Sequence, residues 1–270
     1  MTTAILLHSF HSEWLKKKRS LGSWLIVVGA LFTPAIILVA RLIHLSNLPA
    51  LYASGNFWTA HWRSSWESMA VFFLPMAAIL VTSLVTQIEY RNNAWKQVRT
   101  LPLTAATIFF SKLAVILAMI FQFFVLFEVG VFAAAILPWF LAGHIPFPAA
   151  PLPLRAFLAD SGSYMLACLP IVAAQYLLSL HFKNFLVPVG IGFMTWVGAL
   201  AALSWKFGYL VPYSYTMLYY LRADPKGRIS YPASQPASQL ASQLDWLSIG
   251  YTLLFILIGY CLFVTRRQKG

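Results

Sequence analysis

The chain has 270 residues, of which 60% are hydrophobic and only 10% charged, and its formal charge is +12. A water-soluble domain of this length carries roughly a quarter charged residues, so 7 acidic side chains are too few to cover one. The basic residues do not form a stripe on a polar domain, which argues against a nucleic-acid-binding face. They cluster between long apolar runs, as contacts to lipid headgroups and topology signals do.

The first element in chain order is Ile5–Lys18. Leu7, Phe10 and Trp14 recur at spacings of three and four, with His8, His11, Ser12, Glu13 and the lysines on the remaining positions. This pattern predicts a short helix lying in the membrane interface, an elbow within residues 1–20; a plain extension of the first span is the alternative. Six runs then approach the length of about 20 apolar residues that a crossing requires. They are Leu21–Ile43, Met69–Ile88, Leu113–Leu141, Tyr164–Leu180 (with Ser161 as an alternative start), Phe185–Trp205 (kinked or broken at Pro188, Gly190, Gly192 and Gly198 as an alternative) and Trp246–Val264. The first is too long for a signal-peptide core and shows no small-residue cleavage site, so it is read as a retained span. Pro34, Pro75 and Pro188 can bend their helices, because each removes a backbone donor.

The expected fold is therefore an all-α integral membrane protein with six transmembrane helices, forming one permease-like domain over residues 1–270. The basic residues orient it. Lys16, Lys17, Lys18, Arg19, Arg91, Lys96, Arg99, Lys112, Lys183, Arg266, Arg267 and Lys269 all fall on one side, densely in short segments. The positive-inside rule makes that side cytoplasmic, with both termini on it.

Between the second and third spans lies Glu89–Lys112, the strongest polar insertion on the inner side. Trp95, Val98 and Leu101 share one side of a short helix, surrounded by Lys96, Gln97 and Arg99. Pro102 ends that helix and Thr104 can cap the next. Such an element suits docking into a cavity of a soluble partner; an ordinary loop held by Trp95 is the alternative. On the outer side, Leu48–Trp66 is rich in Trp, Tyr and His, and Gly143–Pro153 is a proline-rich connector. Residues 206–245 are expected to form an outer loop, its Arg222–Asp245 part flexible and of low complexity.

Chemistry is scarce. No Walker-type G-x-x-x-x-G-K-[ST] loop occurs, no hydrolase signature occurs, and the six histidines make no zinc-like pattern with Cys or acidic neighbours. No catalytic residue, metal ligand or cofactor site is nominated. Glu128 is the one acid deep inside an expected span, with Gln122 six residues earlier. Either it lines a transport route or it hydrogen-bonds a neighbouring helix, since a carboxylate in hydrocarbon is costly unless protonated, paired or wet.

The chain resembles the membrane subunits of ABC-2 type transporters, notably the small permeases of bacitracin and lantibiotic export and immunity. The resemblance rests on Glu13-Trp14-Leu15-Lys16, on Glu89-Tyr-Arg-Asn-Asn-Ala-Trp-Lys-Gln, on Leu101-Pro102-Leu103 and on Ser111-Lys112. Where that family has Gly-Thr after the acidic residue, this chain has Asn93-Ala94-Trp95. The resemblance implies that Glu89, Arg91, Trp95, Lys96, Arg99, Leu101 and Pro102 form a cytoplasmic coupling helix. It implies a bacterial inner-membrane exporter of antimicrobial peptides or other amphipathic compounds, built with a second permease chain, identical or related. A separate ATPase dimer would hold ATP and Mg, leaving this chain without cofactor or catalysis. An ion-gradient-driven transporter and a noncatalytic immunity or assembly protein are the competing readings.

Overall fold

The computed structural model describes residues 2–17, 20–91, 103–143, 145–205, 207–222 and 237–268. Among these the regular structure is helical throughout: α1 (Thr2–Lys17), α2 (Leu21–Ile43), α3 (Leu48–Tyr52), α4 (Phe57–Ser68), α5 (Leu74–Arg91), α6 (Ala105–Ala142), α7 (Leu154–His181), α8 (Leu186–Ala202), α9 (Tyr215–Arg222) and α10 (Ala237–Gln268). A π-turn, Met69–Phe73, joins α4 to α5, and short 3-10 turns precede α9.

Among the described residues five helical runs, not the six expected, are long and apolar enough to cross a membrane: Leu21–Ile43, Phe57–Ile88, Ala105–Ala142, Leu154–His181 and Ser242–Thr265. The expected fifth span, Phe185–Trp205, is instead the 17-residue helix α8. At 1.5 Å per residue it covers about 26 Å, less than the roughly 30 Å of a hydrocarbon core. After α8 the chain folds back, because Tyr213 hydrogen-bonds Gln175, whose side chain also binds the carbonyl of Pro188 near the start of α8. The 206–245 stretch is therefore not simply a loop. It holds the packed helix α9, and α10 begins at Ala237; the remaining part of the expected flexible segment, 223–236, lies outside the described residues.

Local chemistry accounts for several boundaries. Ser20 caps α2 by accepting from the Ser23 amide, and Thr104 caps α6 by accepting from the Thr107 amide. Gly143 closes α6 with a left-handed φ of 64°. The π-turn precedes Pro75, which cannot donate to the carbonyl of Val71.

Packing sets the directions. Gly22 of α2 lies against Met119 of α6, and Arg41 reaches Ala134, so α2 and α6 run parallel. An added Cβ at Gly130 would lie 3.0 Å from Pro34, so glycine permits that close approach. Trp62 stacks on Phe157 at 4.2 Å between ring centres and Trp66 on Tyr164 at 3.8 Å, joining α4 to α7 through large buried rings. At the start of α6, Ser9 of α1 bonds Ser111, and Phe263 of α10 packs on Phe109. The N-terminal helix and the last turns of α10 thus meet the same end of the bundle.

Candidate functional site: coupling end and intramembrane polar contacts

The structure divides the nominated residues into three groups. Glu89 and Arg91 belong to the last turn of α5. Trp95, Lys96, Arg99, Leu101 and Pro102, the body of the expected coupling helix, lie outside the described residues. Gln122 and Glu128 are both on α6 but are not brought together. Six residues correspond to about 600° of helix rotation, which turns them to different faces. Gln122 accepts from the Lys17 ammonium at 3.2 Å, and Glu128 is half-buried.

The end of the bundle that carries the expected coupling segment is anchored on both sides of it. On α1, positions 9, 13 and 17 form one helical stripe against α6. Glu13 accepts from Lys112 at 2.9 Å and from Lys16, while Lys112 is only 1% exposed. Burial alone would push the Glu13 carboxyl up. The ammonium groups of Lys112 and Lys16 outweigh it and hold the carboxyl below its usual range. Lys17 has no such partner among the described residues; it lies over the Trp14 ring, 3.2 Å from its centre, and burial lowers its pKa. On the other side, Gln87 near the end of α5 donates to the carbonyls of Phe182 at 2.8 Å and Ser179 at 3.4 Å, binding α5 to the end of α7.

Prolines create a second set of contacts. Pro138 leaves the carbonyl of Ala134, four residues earlier, without its helical donor. Arg41 Nη1 donates to that oxygen at 2.8 Å. Its Nη2 is 3.0 Å from His61 Nδ1, and His61 Nε2 is 2.9 Å from the Val131 carbonyl. Because guanidinium only donates and a carbonyl only accepts, the ring proton belongs on Nε2. Tyr52 adds a hydroxyl to the Ala135 carbonyl, and the Arg41 guanidinium lies 5.1 Å from the Phe57 ring centre. In the same way, Pro75 leaves the Val71 carbonyl free, and the indole of Trp196 on α8 donates to it at 3.0 Å.

The third centre is Gln175, fully buried on α7. Its Nε2 donates to Ser83 Oγ on α5 at 2.9 Å and to the Pro188 carbonyl at 2.7 Å, and its Oε1 accepts from Tyr213 at 3.2 Å. Ser179 Oγ donates onward to Ser83 Oγ at 3.2 Å. One amide thereby joins α5, α7, α8 and the fold-back turn, inside a layer where every polar group needs a partner.

Sequence reading missed Lys112, Arg41, His61 and Gln175. A proline inside a span does point to its fourth preceding carbonyl, so Ala134 and Val71 were findable; their donors, from distant segments, were not.

This is a polytopic helical membrane protein in which the polar side chains described above tie helices together. Among the described residues no group of three or more His, Cys, Asp or Glu is placed to hold a metal ion. Residues 9–199 match the model for the ABC-2 family transporter protein, and the chain belongs to that family. No curated protein matches the chain significantly. Family membership makes it a non-catalytic transport subunit.

Proposed function

We propose that this chain is the membrane-spanning half of an ATP-driven exporter whose motor is a separate ATPase dimer. The Glu89–Lys112 segment is the docking element, with Glu89, Arg91, Trp95, Lys96, Arg99, Leu101 and Pro102 as its coupling residues. Two permease chains, identical or related, enclose the route. The basic end faces the cytoplasm of a bacterial inner membrane and carries both termini. The cargo class is an antimicrobial peptide or another amphipathic compound, moved out of the cell or the bilayer.

One observation carries this reading: the segment is tethered at both margins. Gln87 ties the α5 side to α7, and the Lys112–Glu13 ion pair ties the α6 side to α1. Force applied between these points reaches four helices at once. A loop with no mechanical duty needs no such anchorage.

The test is purification of the chain co-expressed with a candidate ABC-type ATPase from the same genome. Wild type should co-purify and stimulate ATP hydrolysis, whereas the double variant Trp95→Ala/Leu101→Ala should lose both. A chain that never assembles with an ATPase, or a double variant that couples normally, would defeat the proposal.

A further inference from the structure

The fold-back turn after α8 is seated by little side-chain hydrogen bonding. Ser214 Oγ bonds only within the turn, to the carbonyls of Gly208 and Val211. Just beyond, the hydroxyls of Tyr215 and Thr216 are buried without a hydrogen-bond partner among the described residues. Each such group costs about 1–3 kcal/mol, so a displaced turn that satisfied them would lie close in energy. Among the described residues two side-chain hydrogen bonds tie the turn to the bundle from outside: Tyr251 donates to the Leu210 carbonyl at 3.1 Å, and Tyr213 donates to Gln175.

Only the second link leads toward the coupling end. Gln175 binds Ser83, which precedes Glu89 by six residues, or about 9 Å along α5. Ser83 also receives Ser179, and Gln87 one turn further binds the Ser179 and Phe182 carbonyls. Space is as tightly set as bonding. A Cβ at Gly192 would fall 2.6 Å from Gln175 Oε1, so the glycine is required for the amide to sit where it does.

We propose that Gln175 is a positioning residue for transport: it transmits displacement of α5 to the Gly208–Ser214 turn by holding Ser83, Pro188 and Tyr213 on one amide. This rests on the coupling role of Glu89–Lys112 proposed above. Axial movement of α5 carries Ser83, the amide follows, and the turn moves because Tyr213 is its link to that amide. A physical relay needs an element with two positions that both ends bias. The turn, joined directly to the two unsatisfied hydroxyls that open α9, is that element.

The experiment uses the complex of the full chain with its ATPase, with Cys168 and Cys261 replaced by alanine. Spin labels are placed at Leu210→Cys on the turn and Leu158→Cys on the exposed side of α7. Their distance distribution is measured without nucleotide and after trapping with ATP and vanadate. The expected parent result is a shift between the two states, up to about 5 Å, the size of a one-turn displacement. Gln175→Met and Gly192→Ala should abolish the shift while assembly and basal ATP hydrolysis persist. Tyr213→Phe, which removes one hydroxyl and is the variant least prone to misfold, should also abolish it. A merely structural Gln175 would lower the melting temperature and broaden both distributions but leave the shift. A full shift in Tyr213→Phe, or a parent complex that hydrolyses ATP without any shift, overturns the relay alone. Failure of the ATPase to assemble overturns the coupling role, and the relay with it.

Discussion

Two cations at opposite ends of the bundle, Lys112 buried and Arg41 half-buried, are stabilised in different ways. Lys112, at the end where α1 meets α6, meets a carboxylate on another helix. Arg41, at the far end of α2, meets no carboxylate among the described residues. It is held by a backbone carbonyl that Pro138 has released, by a neutral imidazole and by a phenyl ring. The first arrangement depends on opposite charge and therefore on protonation. The second depends on backbone geometry, and a change in the partner helix's sequence can make it unnecessary without touching any charge.

The comparison breaks most forcefully at Glu13. Glu13→Gln should destabilise the chain by up to about 3–5 kcal/mol, because it removes the carboxylate that faces the buried Lys112 ammonium. Thermal unfolding in detergent would show this, and pairing the change with Lys112→Met should recover most of the loss. No recovery would mean that the pair is incidental.

Arg41→Met should cost about 1.5–3 kcal/mol, the range for hydrogen bonds made by a charged group. Pro138→Ala restores an amide that can satisfy Ala134. In that background the Arg41 change should cost measurably less, giving a non-additive cycle. Strict additivity would refute the idea that the arginine replaces the missing donor. Trp196→Phe should have a smaller effect, about 1 kcal/mol, reduced again when Pro75 is replaced by alanine.

The smallest effect is the pH dependence that separates the two ends. Glu13 has a depressed carboxyl pKa in the folded chain, so its contribution is fully present above the unfolded value, about pH 4–5, and is lost as pH falls through the folded value. Wild type should therefore lose stability on acidification more steeply than Glu13→Gln. Equal slopes would show that the ion pair does not titrate as described.

The comparison also explains what the sequence could and could not convey. The bounds of α2 are legible because Ser20 supplies a cap and Arg41 through His44 ends the apolar run. The start of α6 is legible from its Thr104 cap, but Lys112 misleads as to the apolar run: it reads as a flanking charge outside a span, yet α6 begins seven residues before it and Glu13 meets its charge inside the packing. Asp160 and Arg155 similarly disguise the first turns of α7, which start at Leu154, before both Tyr164 and the alternative start at Ser161. Ser238-Gln-Leu-Ala-Ser-Gln243 looks like low-complexity linker, but Gln, Leu and Ala are sound helix formers and the segment opens α10. The six-span expectation failed for a different reason. Apolar composition at Phe185–Trp205 carries no information about a turn that returns to Gln175, a pairing 38 residues apart. The two nominated acceptors on α6 show the same limit, since Gln122 is taken by Lys17 from 105 residues away.

The π-turn at Met69–Phe73 has a consequence for how this membrane segment tolerates insertion and deletion. A π-turn accommodates one residue more than regular α-helix, and its removal would rotate everything after it by about 100°. Thr82, Ser83, Thr86 and Gln87 form the buried polar face of α5. Deleting one residue from 69–73 would swing that face from α7 toward lipid without altering a single polar side chain. The extra residue works as a phase setting, keeping the aromatic face of α4 and the polar face of α5 turned to the same neighbour, α7.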